Sequence, residues 1–122
     1  MDRERFRALV VAALDEIPEP FRAYLDDVEV VVEDEPDDDV MRDMGLDPRR
    51  DTIFGLYEGV PVNERGLDEG LRLPDRIAIY YRPLVREFRT PGAIRREIRK
   101  TIIHEVGHVF GLDDDEIEAE GY

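Results

Sequence analysis

The sequence predicts an α+β fold: an N-terminal helix, a small mixed sheet of about three to four strands, and a C-terminal helix. Three observations predict it. Apolar residues first recur at helical spacing, short β-branched runs follow between polar segments, and a last helical segment begins at Thr90-Pro91 and stops at Gly111. A length of 122 residues is typical of one domain, so we expect a single domain over residues 1–122.

The first helix is predicted over residues 2–17, before Pro18. Its apolar residues recur every three or four positions, as on one face of an amphipathic helix. They are Phe6, Leu9, Val10, Ala13, Leu14 and Ile17. We expect this helix to cover one side of the sheet.

Three runs rich in β-branched and aromatic residues predict the strands, at residues 28–32, 52–60 and 76–81. We expect the first to be an internal strand, and the other two to form a long hairpin through the polar residues 63–74. The acidic segment 33–51 contains proline and glycine, which predicts a long loop with a helical turn around residues 39–44.

The last helix starts where Thr90 can cap the first free N–H groups and Pro91 takes the first helical position. Its apolar stripe is expected to pack on the sheet. The stripe consists of Ile94, Ile98, Ile102, Val106 and Val109.

Composition narrows the possible functions. The chain has 31 acidic and 17 basic residues, a formal charge of −14 that opposes nucleic-acid and anionic membrane binding. The charge is typical of a highly soluble protein, although it would also attract a basic partner. There are no cysteines, so disulfides and thiolate ligands are excluded. The N-terminus lacks an apolar leader and no apolar run approaches about 20 residues, so we expect a cytoplasmic monomer.

The strongest functional signal is the HExxH pattern of residues 104–108. His104 and His108 lie one helical turn apart on one face, so both imidazoles can reach one ion. Glu105 lies beside them and can reach a water on that ion. A catalytic zinc usually has three protein ligands and one open position, and Asp114 can approach as the third ligand after a left-handed turn at Gly111.

These residues predict a zinc-dependent peptidase in which Glu105 accepts the proton of the attacking water and later delivers it to the leaving amine. Tyr80, Tyr81 and Tyr122 are candidate oxyanion donors, but packing is the commoner role for such tyrosines. If residues 76–81 form an edge of the sheet, a peptide substrate can add to them as a further strand. The acidic surface would favour a basic peptide. The acidic residues after the motif can accept hydrogen bonds from the N–H groups of the histidines, or they form a solvated tail. They are Asp113, Asp115, Glu116, Glu118 and Glu120.

The string at residues 101–117, Thr-Ile-Ile-His-Glu-Val-Gly-His-Val-Phe-Gly-Leu-Asp-Asp-Asp-Glu-Ile, resembles the small bacterial zincin-like metallopeptidases called minimal zincins. The resemblance runs along nearly the whole chain and implies a peptidase core reduced to an N-terminal helix, a small sheet and the metal helix. The string also looks like that of metzincins with an aspartate as third ligand, including the snapalysin-like peptidases. Metzincins add a methionine turn after the motif, whereas Met41 and Met44 precede it, so we expect a site without that turn.

Two other functions fit the same residues. The first is a zinc-binding protein without catalysis, in which the ion fixes the C-terminal segment to the helix. The second is an acidic interaction module that binds a basic partner and retains only a vestige of the motif. A structural zinc site does not need the base Glu105 and is usually closed by a fourth protein ligand, which favours the peptidase.

Overall fold

The computed structural model describes residues 1–59 and 75–122 and confirms the predicted α+β class. The strands lie between helices in the first part of the chain, and the elements after β3 are all helices. In chain order the elements are α1 (Arg3–Asp15), α2 (Phe21–Tyr24), β1 (Val28–Glu33), α3 (Asp38–Asp43), β2 (Gly55–Glu58), β3 (Asp75–Tyr80), α4 (Tyr81–Glu87), α5 (Pro91–Val109) and α6 (Asp114–Ala119).

The three described strands form one mixed sheet in the order β1-β3-β2. Ile77 of β3 lies beside Val30 of the parallel strand β1 and opposite Tyr57 of the antiparallel strand β2. The expectation of an internal first strand was wrong, because β1 is an edge strand of the described sheet. β3 is its middle strand, so the condition for adding a peptide to residues 76–81 is not met. The burial explains this order, because the side chains from Ile77 to Tyr80 are at most 1% exposed while β1 is only partly buried.

The predicted hairpin of the second and third strands is confirmed by the antiparallel pairing of β2 and β3. Its predicted link at residues 63–74, and residue 60 at the end of the predicted second strand, lie outside the described residues. Tyr81 begins α4 and does not extend β3. Pro83 stands at the third residue of α4, where its missing N–H removes no helical hydrogen bond.

Helix α5 is the centre of the core. It packs against β2 and β3, and α1 packs against α5. The buried residues Phe6 and Val10 of α1 belong to the same core cluster as Ile77 of β3. On α5, Ile94, Ile98, Ile102 and Val106 are buried as predicted, whereas Val109, the last helical residue, is 48% exposed. Among the described helices, none is both long and apolar enough to cross a membrane.

Candidate metal centre

Helix α5 carries three of the four candidate site residues in its last two turns. Thr90 caps its start by accepting a hydrogen bond from the Ala93 N–H at 3.1 Å, and Pro91 follows at the first helical position, both as predicted. The helical spacing brings His104 and His108 together, with their ring centroids 6.2 Å apart. The two imidazoles therefore share one face of a well-anchored helix.

The turn after α5 reverses the chain. The Gly111 N–H donates to the His108 carbonyl at 3.1 Å, and the Leu112 N–H donates to the Gly107 carbonyl at 2.9 Å, which is the pair of bonds that defines a Schellman motif. Gly111 has a φ of +89°, in the left-handed region that favours glycine. The predicted stop at Gly111 is confirmed.

Helix α6 then holds Asp114 at its first residue. Asp113 caps α6 by accepting from the Glu116 N–H at 2.8 Å, and the Glu116 carboxylate accepts from the Asp113 N–H at 3.2 Å. Ile117 is fully buried against α5, where a Cβ on Gly107 would lie only 2.5 Å from its Cδ1 atom. The absence of a side chain at Gly107 thus lets α6 approach closely and bring Asp114 to the histidines.

The predicted ligand residues His104, His108 and Asp114 lie together, with one ligand atom from each within 4.8 Å of the others. The Asp114 Oδ1 atom is 2.7 Å from His104 Nδ1 and 2.6 Å from His108 Nε2. Hydrogen bonding with His104, and then with His108, holds the pKa of the Asp114 carboxyl below its ordinary value. Two imidazoles and one carboxylate are a donor set typical of catalytic zinc.

The second ring nitrogen of His104 also has a partner. Its Nε2 atom lies 3.1 Å from the backbone oxygen of Tyr122, which can only accept a hydrogen bond. A neutral His104 that donates there has only a lone pair on Nδ1, which faces the Asp114 carboxylate. His104 Nδ1 and Asp114 Oδ1 then face each other with a lone pair each. A cation shared between them, either a proton or a metal ion, satisfies both lone pairs, so the residues present fit a metal ion.

The acidic residues after the motif were candidate acceptors for a histidine N–H. The Tyr122 backbone oxygen is the acceptor beside His104 instead, and metal-binding histidines commonly donate their other N–H to an acceptor of this kind. Asp113 and Glu116 instead form the cap of α6. Sequence reasoning missed this contact because every residue type has a backbone oxygen, so the amino-acid sequence does not indicate which one contacts His104.

Glu105 lies on the other side of His108. Its Oε1 atom accepts a hydrogen bond from the backbone N–H of Tyr57 at 2.9 Å, and its Oε2 atom is 3.6 Å from His108 Nδ1. Glu105 and the three ligand residues open into one cleft of about 260 Å³ between β2 and α5. The other residues that line it are Ile53, Phe54, Gly55, Glu97, Lys100 and Thr101. Sequence reasoning also missed Tyr57, which contributes through its backbone.

The three candidate oxyanion tyrosines have packing roles. Tyr80 is 1% exposed, and burial raises its pKa to about 12. The Tyr81 hydroxyl donates to the Met1 carbonyl, and the Tyr122 ring packs edge-on against Phe21 with centroids 5.7 Å apart. These contacts agree with the packing interpretation of all three side chains.

Comparisons with known proteins agree with this geometry. A family model described as zincin-like metallopeptidase matches residues 25–122. A solved structure, a conserved hypothetical protein from Thermus thermophilus, is similar to this chain with a TM-score of 0.59 and 25% sequence identity, over 98% of this chain and 99% of that chain. None of the curated proteins matches the sequence.

Proposed function

Because this chain belongs to the zincin-like metallopeptidase family, we propose that it is a zinc-dependent peptidase in which Glu105 acts as the general base. Family membership by itself supports either a peptidase or a metal-binding protein. The observation that carries the proposal is the position of Glu105, whose carboxylate shares the cleft of the three ligand residues and is anchored to the Tyr57 N–H. A protein that only binds zinc has no use for an anchored carboxylate beside the ligands.

In this mechanism His104, His108 and Asp114 hold the metal. A zinc ion held by these residues would supply Lewis acidity, which would polarise the scissile carbonyl and make the attacking water more acidic. Glu105 accepts the proton of that water and passes it to the leaving amine. Among the described residues the donor group has three members, as catalytic zinc sites usually do, whereas structural sites usually have four protein ligands.

We place the peptide substrate along β2, because β3 is the middle strand. The Tyr80 N–H donates to the Phe54 carbonyl at 2.9 Å, so the alternation of an antiparallel pair turns the backbone groups of Gly55 and Tyr57 away from β3. This is the side on which Glu105 meets β2. An extended peptide that follows this edge brings its scissile carbonyl beside the base and the metal ligands.

The proposal is tested by measuring zinc content and hydrolysis of a mixed peptide library for the wild type, Glu105→Ala and Glu97→Ala. Glu97 is a matched control because it is a glutamate of the same helix that lines the same cleft. We expect about one zinc per chain in all three proteins, and a loss of about 10²- to 10⁴-fold in cleavage for Glu105→Ala alone.

Two outcomes contradict the proposal. If all three proteins bind zinc and none cleaves, the protein is a zinc-binding protein without catalysis. If none binds zinc, the motif is a vestige and the acidic interaction module becomes the better interpretation.

A further inference from the structure

A second concave surface adjoins Tyr57. It is a groove of about 690 Å³ between the end of α5, the start of β1, the end of β2 and the start of β3. We call it the Tyr57 groove and define it by three aromatic and four acidic residues. They are Tyr24, Tyr57, Phe110, Asp26, Asp27, Glu29 and Asp75.

One wall of the groove is aromatic. The rings of Tyr24 and Phe110 stack with centroids 3.9 Å apart and an interplanar angle of 16°. Phe110 is nevertheless 51% exposed, although it directly follows the helix that carries the metal ligands. Aromatic faces attract cations, and arginine in particular stacks on them.

The remaining walls carry negative charge. Asp26 and Asp27 are exposed, and Asp75 is half-buried and accepts a hydrogen bond from the Tyr57 hydroxyl at 2.7 Å. None of the described residues that line the groove is basic. An aromatic wall beside carboxylates is complementary to a cationic group with an apolar stem, such as an arginine or lysine side chain.

Tyr57 joins the groove to the candidate metal centre. Its backbone N–H is 2.9 Å from the Glu105 carboxylate, while its hydroxyl lies in the groove on Asp75. Successive residues of an extended peptide are about 3.4 Å apart. A peptide that lies along β2 with its scissile bond at Glu105 therefore brings a neighbouring side chain within reach of the groove.

We propose that the Tyr57 groove is a specificity site that binds an arginine or lysine side chain of the peptide substrate, close to the scissile bond. This inference rests on the proposed peptidase function and names its substrate class. The stem of the basic side chain packs on Phe110, and its charge pairs with Asp26, Asp27 and Asp75.

The test measures peptide binding directly. The probes are fluorescently labelled peptides whose other residues are uncharged. Each peptide carries either arginine or citrulline, its uncharged isostere, at one position, and this position is varied along the peptide. Binding is measured by anisotropy on the zinc-loaded Glu105→Ala protein, which does not consume the peptide. We expect arginine at one position to bind about tenfold more tightly than citrulline, from the partly exposed ion pairs with the three aspartates and one cation–π contact.

Two variants locate the effect in the same background. Asp26→Asn with Asp27→Asn should reduce the preference for arginine to about twofold or less, and Phe110→Ala should weaken it severalfold. The control is Asp38→Asn with Asp39→Asn, which removes the same charge from exposed residues of α3 and should leave the preference unchanged. Equal loss in the control would show diffuse attraction to the acidic protein and would overturn the proposal.

Cleavage by the wild type separates the two proposals. If peptides are cleaved but arginine and citrulline are equivalent at every position, the groove proposal fails and the peptidase proposal stands. If no peptide is cleaved but the arginine preference depends on Asp26 and Asp27, the groove binds a basic side chain, whereas the peptidase proposal fails and with it the role of the groove in cleavage specificity.

Discussion

The close contact between Gly107 and Ile117 can be tested by adding a methyl group at position 107 and removing one at position 117. The test asks whether this contact positions α6 and the proposed ligand Asp114. In Gly107→Ala the new Cβ would lie 2.5 Å from Ile117 Cδ1. Overpacking of this kind costs about 1–3 kcal/mol, and the better helix propensity of alanine returns about 0.5–1 kcal/mol. We therefore expect Gly107→Ala to lower the free energy of unfolding by about 1–2 kcal/mol.

Ile117→Val removes the Cδ1 atom and should cost about 0.5–1.5 kcal/mol. In the double variant the methyl group added at position 107 would occupy the space that Cδ1 leaves. We expect the double variant to unfold within about 0.5 kcal/mol of the wild type, whereas additive effects would cost about 2 kcal/mol. The coupling energy is then about 1.5–2 kcal/mol in favour of the double variant.

The assay is urea unfolding of the metal-free proteins, followed by calorimetric titration with zinc. Zinc affinity should fall about tenfold in Gly107→Ala and recover in the double variant, because Asp114 moves with α6. If the two substitutions add to within about 0.5 kcal/mol, the contact relaxes elsewhere and the reasoning is refuted. Unchanged zinc affinity in Gly107→Ala would refute the link between this contact and the ligand.

Three further predictions concern single side chains or groups. Asp113→Ala and Thr90→Ala each remove a helix cap and should lower the free energy of urea unfolding by about 1 kcal/mol, but only Asp113→Ala should also weaken zinc binding in calorimetry, because Thr90 caps the far end of α5. Deletion of Tyr122 removes the backbone oxygen that contacts His104 and should lower zinc affinity about tenfold in the same titration, whereas Tyr122→Phe should leave it unchanged. Burial raises the pKa of Tyr80 to about 12 in the folded state, so the folded chain keeps a proton that the unfolded chain loses above about pH 10. The contribution of Tyr80 to the free energy of unfolding is therefore fully present below about pH 10, and about 2–3 kcal/mol of it is lost as the pH rises through about 12. Urea unfolding across this range should show a smaller loss in Tyr80→Phe.

The parts of the fold that depend on neighbouring residues were predictable from the sequence. Thr90, Pro91 and Gly111 mark the ends of α5 through local backbone chemistry, and the spacing of His104 and His108 follows from one helical turn. These signals need no knowledge of the rest of the chain.

The parts that depend on distant contacts were not predictable. The Tyr57 N–H meets Glu105 from 48 residues away, and the order of the strands decides which edge is open. Helix α6 escaped prediction because its single buried residue, Ile117, makes no apolar stripe. Tyr81 continued the β-like pattern of β3 although it begins α4.

The proposed metal ligands and the proposed base, Glu105, differ in how much of the chain must be ordered to assemble them. Asp114 follows His104 by ten residues, whereas Glu105 and the Tyr57 N–H that anchors it are 48 residues apart. The entropy lost on closing a loop grows with its length, and a turn that is already helical reduces it further for the short one. A chain whose sheet has opened can therefore still gather His104, His108 and Asp114 around an ion while Glu105 swings free. Retained zinc would then report an intact C-terminal segment, and only turnover would report an intact protein.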